Sequence, residues 1–459
     1  MRRLAGLLGC GVLGCSLLSG CAFNSLFINY PSQLAPVRQS LASNNPAEHL
    51  KDLGDNIHGN DGLLYAQEAG RVAQISGDFA ASQGFYASAI AAYEAFDAKA
   101  TLSASQLGAN AGALVLNDNV IPYRGPGFER ILVHQYQALN FLMQKQLDGA
   151  LVEVRRANEL QALEQARYEK SSTEVRDMAN GTVNAEQARL GQAAGSVSSS
   201  FLNAYSYYTT GLLHELLGNG NDAFIDYRKA AQISPGNPYL EQDLLRLARE
   251  LEMPQLEEFE RQFGQAEMPQ SGQGQLVLML ERGLVPEKQA LTVPFTINGN
   301  WQSVSLATYP GVPLPLPEVQ VTGLGEPLTM APLADIDALA INALKEDLPL
   351  MLLRQVARVV TKAEMASSIQ SERKKANGGF DGGVIAMQIF NLVTEQADRR
   401  SWLTLPRQAL LARRFVNPGD YSLALANHTG QSVSIEAGKT TLVWAVETGN
   451  LLRFYSIIL

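Results

Sequence analysis

The sequence predicts an α+β protein of several domains: an all-helical N-terminal region, then a β-rich, sandwich-like domain with a helical insertion. Three observations say so. From about Leu50 to Phe263, segments rich in Ala, Leu, Gln and Glu carry apolar residues at three and four spacing, the period of amphipathic helices. After the turn-forming stretch Met268-Pro269-Gln270-Ser271-Gly272-Gln273-Gly274 the period changes to two, as in half-buried strands. A second helical pattern then interrupts the strands. The implied divisions are a signal at 1–20, a tether at 21–46, a helical domain at 47–265, a linker at 266–274 and a β-rich domain at 275–459. Its helical insertion falls at about 333–400.

The N-terminus has the three-part pattern of an export signal: Met1-Arg2-Arg3, an apolar run from Leu4 to Leu18, then small residues. The run is too short to be read as a stable membrane span. Leu18-Ser19-Gly20-Cys21 resembles the lipobox of bacterial lipoproteins, which implies cleavage before Cys21 and acylation of that cysteine. Cys10 and Cys15 also follow small residues, but cleavage there would leave too short an apolar core. Ala22 stands where many lipoproteins retained in the inner membrane carry Asp, so the resemblance implies sorting to the outer membrane, and the anchored protein is expected to face the periplasm. Two or more acyl chains anchor durably, since each buried methylene contributes about 0.8 kcal/mol. Residues 22–46, with Pro31, Pro36, Pro46 and a polar Ser43-Asn44-Asn45 cluster, read as a tether.

Loss of the signal removes Arg2, Arg3, Cys10 and Cys15, takes the net charge from −9 to −11 and leaves Cys21 as the sole cysteine. An intramolecular disulfide, a Cys-based zinc site and a cysteine nucleophile are thereby excluded. The longest basic block is Arg373-Lys374-Lys375, which argues against nucleic acid as a partner.

Within the helical region, Tyr207, Gly211, Gly218, Ala223, Tyr227, Ala230 and Pro235 match the 34-residue tetratricopeptide pattern. Small residues let two antiparallel helices approach, aromatics fill the gaps, and the proline ends the second helix. His214 departs from the pattern, standing where an aromatic is usual. The frame also fits Gly70, Gly77, Ser82, Tyr86 and Ala89, and Ala138, Phe141, Ala150 and Ala157, although an irregular bundle would share these residue types. Turns are expected at Gly77, Lys145 and Gly218, and a degenerate hairpin at about 100–125. The frame places Gln67, Arg71, Gln74, Gln135, Tyr205, Tyr208 and Glu215 on first helices, the positions that line the concave binding face of such arrays. Tyr205 and Tyr208 are the strongest candidate anchors for a partner.

Strand-like runs follow at Leu276–Glu281, Ala290–Ile297, Ser303–Tyr309 and Glu318–Thr322. Five more lie at Ala409–Phe415, Tyr421–Ala426, Ser432–Glu436, Thr441–Val446 and Leu452–Ile457. Residues 333–371 and 384–397 have helical periodicity, and Pro349 is expected to kink or divide the first segment. Insertion of these helices into one β domain leaves fewer unpaired edges than two separate domains would.

No catalytic signature is present: no nucleophile elbow, His-Glu-x-x-His, Walker-type loop or dinucleotide fingerprint. No catalytic residue, metal site or cofactor is therefore assigned. His49, His58, His134, His214 and His428 lie far apart, and His134 and His214 read as packing histidines. Gly378-Gly379-Phe380-Asp381-Gly382-Gly383 reads as a flexible loop rather than an anion site. Asp398-Arg399-Arg400-Ser401-Trp402 reads as structural, with locally paired charges and Trp402 packed between the insertion and the sheet. The loop Asn117–Gly127 concentrates turn residues around Tyr123 and Arg124; it is either a binding loop or a rigid connector in place of a lost repeat.

Cys21, Gly77-Asp78-Phe79, Pro122-Tyr123-Arg124-Gly125 and Trp402-Leu403-Thr404-Leu405-Pro406 together resemble a proteobacterial family of tetratricopeptide-like outer-membrane lipoproteins without assigned biochemical activity. The resemblance spans most of the mature chain and implies a role in the cell envelope, with peptidoglycan assembly as one candidate process. The resulting expectation is a membrane-anchored scaffold that binds periplasmic or envelope proteins or peptides. The alternative is an envelope enzyme acting on peptidoglycan or polysaccharide through an unrecognised acidic site.

Overall fold

The computed structural model describes residues 28–103, 121–175, 181–297, 300–311, 313–375 and 396–459. Cys21, most of the expected hairpin at 100–125 and the glycine-rich stretch at 378–383 lie outside the described residues. The N-terminal part is helical: α1 (Tyr30–Leu41), α2 (Leu50–Asp55), α3 (Gly62–Ile75), α4 (Phe79–Ser103), α5 (Gly127–Met143), α6 (Leu147–Val175), α7 (Gly181–Ala193), α8 (Ala204–Leu216), α9 (Gly220–Ile233), α10 (Pro238–Glu250) and α11 (Leu256–Phe263). A β region follows, so the coarse α+β organisation is as the sequence predicts. Among the described residues no helix is long and apolar enough to cross a membrane.

Three antiparallel hairpins, α3–α4, α5–α6 and α8–α9, form the body of the helical part. Each turns at a residue with positive φ: Gly77 (82°), Lys145 (61°) and Gly218 (76°). Close approach depends on missing side chains. A Cβ on Gly70 would lie 2.5 Å from the Tyr86 ring, and one on Gly211 2.5 Å from that of Tyr227. Ala138, Ala150 and Ala223 are fully buried at corresponding contacts.

Residues 30–41, read from their prolines as irregular, form α1, capped by the Asn29 side chain and started by Pro31 in its first turn. Leu34, Val37 and Leu41 bury one face, which outweighs the cost of Pro36 within the helix. Arg38 fastens this helix to the rest of the chain by donating to the carbonyls of Val285 (3.0 Å) and Leu403 (2.9 Å).

All nine expected strands form, as β1 (Gly274–Arg282), β2 (Gln289–Ile297), β3 (Asn300–Thr308), β4 (Gln320–Thr322), β7 (Gln408–Val416), β8 (Gly419–Leu425), β9 (Gln431–Ile435), β10 (Thr440–Thr448) and β11 (Leu451–Ile458). Two short strands, β5 (Leu328–Thr329) and β6 (Ala331–Asp335), add to them. The main sheet has the order β11-β10-β1-β7-β6, with β1 and β10 parallel and the other pairs antiparallel. A second sheet runs β5-β4-β8-β9, and β2-β3 is a separate hairpin. Between β6 and β7, which are neighbours in the main sheet, the chain forms α12 (Ile336–Lys375). This helix continues through Pro349 instead of dividing there.

The inner strands of the main sheet, β1, β7 and β10, are buried on both faces over most of their length, and residue parity shows against what. Leu276, Leu278, Leu280, Leu410, Ala412, Val443 and Ala445 pack onto the second sheet through Val321, Leu423, Leu425, Val433 and Ile435. The alternate residues Val277, Met279, Leu411, Leu442, Trp444 and Val446 share one core with the helices. Strand β1 is consequently buried at all nine positions, as a strand covered on both sides must be.

Gly70→Ala should lower stability by about 1–3 kcal/mol, because the added methyl overpacks against Tyr86. Lys145→Gly should raise it by about 0.5–1 kcal/mol, because glycine adopts the left-handed turn without a Cβ clash. Urea unfolding of the two variants beside the parent tests both signs; a stable Gly70→Ala protein would refute the close packing.

Candidate functional site

The face that the sequence marks as an open concave groove is occupied by the chain's own β region. Gln67, Arg71, Gln74, Gln135, Tyr205 and Tyr208 are all buried, and Tyr208 has no accessible surface. They are not docking residues on an open face. Their polar character serves a different purpose, since the main sheet and the segment leading into it bring matching polar groups.

Three clusters make this seam. In the first, Arg71 from α3 pairs with Glu281 from β1, both fully buried. The Tyr205 hydroxyl donates to the same carboxylate at 2.9 Å. Arg71 also donates to Gln74 Oε1 (2.9 Å) and lies 4.4 Å over the Tyr136 ring. Burial opposes the Arg71 charge, but Glu281 and the neighbouring tyrosines outweigh it and raise the guanidinium's affinity for its proton. In the second cluster, Arg413 from β7 reaches Glu215 of α8 (2.8 Å) and Asp243 of α10 (2.7 Å). Arg246 joins at 2.8 Å from Glu215. Two arginines and two carboxylates balance there, with the Tyr227 hydroxyl donating to Glu215 at 2.8 Å.

The third cluster grips backbone. Glu68 of α3 accepts from Leu403 N (2.7 Å), Thr404 N (3.1 Å), Thr404 Oγ1 (2.5 Å) and the Tyr30 hydroxyl (3.2 Å). Glu129 of α5 accepts from Trp402 N (3.1 Å) and from the Tyr123 hydroxyl (2.8 Å). Trp402 is thereby seated edge-on to Tyr86 and Tyr136. It packs within the helical array rather than between α12 and the sheet. Arg400 closes this end, pairing locally with Asp398 (2.7 Å), as the sequence suggests, and also with Asp61 (2.5 Å). The groove thus holds an extended piece of its own chain by main-chain donors, much as a groove would hold a peptide.

The Tyr123–Arg124 loop divides in its roles. Tyr123 is buried on Glu129, whereas Arg124 is exposed, 5.6 Å over the Phe96 ring. Arg124 lies on the wall of a pocket of about 380 Å³. Gly125, Pro126 and Gly127 continue the wall, and Arg130, Glu164, Glu346 and Asp347 contribute charge. Gly125 adopts φ 64°, and a Cβ on Gly127 would strike the Glu164 carboxylate at 2.5 Å, so both glycines admit geometry that a side chain would block. Arg130 is held by Asp97 at 2.7 Å. Glu346 accepts from Ser199 Oγ, Ser200 N and Ser200 Oγ at 2.5–3.1 Å. Sequence reasoning found the loop but missed the acidic wall, which α6 and α12 supply from distant positions. Among the described residues no group of three or more His, Cys, Asp or Glu is arranged to hold a metal ion. His134 bonds Glu153 (2.7 Å) and His428 bonds Glu447 (2.9 Å).

Burial pushes the Glu68 and Glu129 carboxyls up to about 7, against the hydrogen bonds that favour their ionised forms. Asp243 and Asp337 are likewise pushed by burial up to about 6. Between about 4.5 and 7 the folded chain therefore binds more protons than the unfolded one, so stability falls as the pH rises through that interval and levels above it. Glu215, Asp398 and Glu447, whose partner arginines hold them low, act in the opposite direction in the acid range below it. Unfolding free energies from urea melts at about pH 5 and about pH 7.5 should differ in favour of the lower pH by on the order of a few kcal/mol; a larger free energy at the upper pH would contradict the assignment. Separately, Glu281→Gln should cost about 3–5 kcal/mol by leaving Arg71 buried without its counter-charge, and Arg71→Met with Glu281→Leu should recover most of that loss in the same assay.

No protein-family model matches this chain, and no curated protein is recognisably similar to it.

Proposed function

We propose that this protein is an outer-membrane lipoprotein, acylated on Cys21, that faces the periplasm and acts as an interaction scaffold in the cell envelope, with peptidoglycan assembly a candidate process. Its three helical hairpins are read as a tetratricopeptide-like array. The observation that carries the scaffold reading is the pocket at Arg124. It is an opening at the helical array, beside the turn-rich loop, while the groove itself is filled from within. Walls bearing both arginine and carboxylate groups suit a polar, oppositely charged protein segment better than an apolar ligand. The lipobox and the early start of α1 support a body held close to the bilayer. Seven residues lie between Cys21 and Asn29, and the eight steps from one to the other can extend to at most about 28 Å.

One observation favours a second reading, an envelope enzyme acting on peptidoglycan or polysaccharide: Glu164, Glu346 and Asp347 line the same pocket. Acid–base hydrolysis of a sugar linkage uses two carboxyl groups across a cleft. Glu346 already accepts three hydrogen bonds from Ser199 and Ser200, which favours a structural role for that carboxylate.

The test uses the full chain in cells. Cys21→Ala should abolish fatty-acid labelling, and unchanged labelling would exclude the anchor. Envelope crosslinking of the lipidated protein should identify a partner whose recovery falls about tenfold with Arg124→Glu, while the urea midpoint stays the same. Release of soluble fragments from purified peptidoglycan by the parent, lost with Glu164→Gln, would favour the enzyme instead.

A further inference from the structure

The connection between β3 and β4 contains Pro313-Leu314-Pro315-Leu316-Pro317, and the function proposed above makes no use of it. Every residue in this run is a proline or precedes one. Proline fixes φ near −65°, and the residue before a proline is driven out of the helical region towards extended ψ. These two restrictions together leave the left-handed polyproline II helix, with three residues per turn.

The structure carries that period in two ways. Pro313 and Leu316 are half-buried, while Leu314, Pro315, Pro317 and Glu318 are exposed, so one residue in three faces the body. The carbonyls of Leu314 and Pro317, also three residues apart, accept from Arg407 (2.9 Å) and Arg282 (2.7 Å). Both arginines are fixed from behind, Arg407 by Asp337 (2.7 Å) and Arg282 by Glu447 (2.6 Å). The segment is a mounted ridge. At its crest Leu314 is 81% exposed, the highest value among the exposed large apolar side chains of the described residues. An apolar side chain held out on a backbone that is ordered before binding loses little entropy when a partner covers it.

We infer that Pro313–Glu318 is a docking ridge for a second protein that carries a shallow, aromatic-lined groove of the kind that receives polyproline II helices. Aromatic faces stack on pyrrolidine rings, and adjacent slots take the side chains at successive turns. Here Pro315 and Pro317 meet the rings and Leu314 fills a slot. The exposed carboxylate of Glu318 calls for a basic residue at the end of that groove. This surface is separate from the pocket at Arg124, so either can fail without the other.

The experiment places a photo-crosslinking amino acid at exposed Pro310 in the full-length protein, irradiates intact cells and maps the crosslinked residues on the captured protein. Leu314→Ser and Pro315→Ala serve as variants, and a synthetic peptide of residues 313–318 serves as competitor in extracts. The expected result is one captured protein whose crosslinks lie beside aromatic residues. Its yield should fall about tenfold with each variant, fall with the peptide, and be unchanged by Arg124→Glu. Both variants should unfold at the parent's urea midpoint, because the altered side chains are exposed. No capture, capture indifferent to both variants and to the peptide, or crosslinks only to a second copy of this chain would each overturn the inference.

Discussion

Everything in this molecule turns on the requirement that charges buried where the helices meet the β region find partners there. Arg71, Glu68 and Glu129 come from helices whose own neighbours do not neutralise them. Their partners are Glu281 on β1 and the main-chain amides of Trp402, Leu403 and Thr404. Removing an ion from water costs several kcal/mol that only good geometry offsets. The seam therefore admits one relation between helices and sheet. A shifted register would leave an ion pair or a carboxylate without its donors, and the apolar contacts around Trp402 and Trp444 could not repay that.

The polar seam and the apolar core thus divide the work. Dispersion and burial supply most of the attraction between the two regions through the face of β1, β7 and β10 that carries Val277, Leu411 and Leu442. The ion pairs select the orientation. Cells of the same seam act at different distances along it: the Glu215–Asp243–Arg246–Arg413 group clamps the third hairpin, and Asp61–Arg400–Asp398 closes the other end. The inner strands of the main sheet, covered by helices on one face and by the second sheet on the other, have no face left to expose.

Local order was largely legible in the sequence. The period of two found nine strands, and the spacing of Gly70, Tyr86, Gly211 and Tyr227 found the helices that meet across missing side chains. What was not legible was pairing at a distance. The positions at Gln67, Arg71, Tyr205 and Tyr208 do lie on one face, but polarity there suggested an outside partner, because no periodicity announces that Glu281 returns to meet them. Glu68 and Glu129 gave no signal beyond their helical positions, and Trp402–Pro406 was noticed without its role. Segment 30–41 misled for a local reason: Pro31 and Pro36 resemble a linker, while Leu34, Val37 and Leu41, spaced by three and four, carry the helix. The ridge at 313–317 needed both the proline pattern and the arginine anchors on its carbonyls before it could be recognised as a display.

The distance spanned by the Glu68 contacts bears on how the chain comes to be folded at all. Leu403 lies 335 residues beyond Glu68, and the parallel partners Gln275 and Thr440 are 165 residues apart. Synthesis delivers the helical half first, when the donors for its carboxylates do not yet exist and the two central strands of the main sheet cannot meet. Closing such long loops is slow, since their entropy must be lost before any contact rewards it. Glu68 and Glu129 gain these donors only once residues 402–404 arrive, and a chain ending short of Trp402 would lack the peptide that completes its own groove.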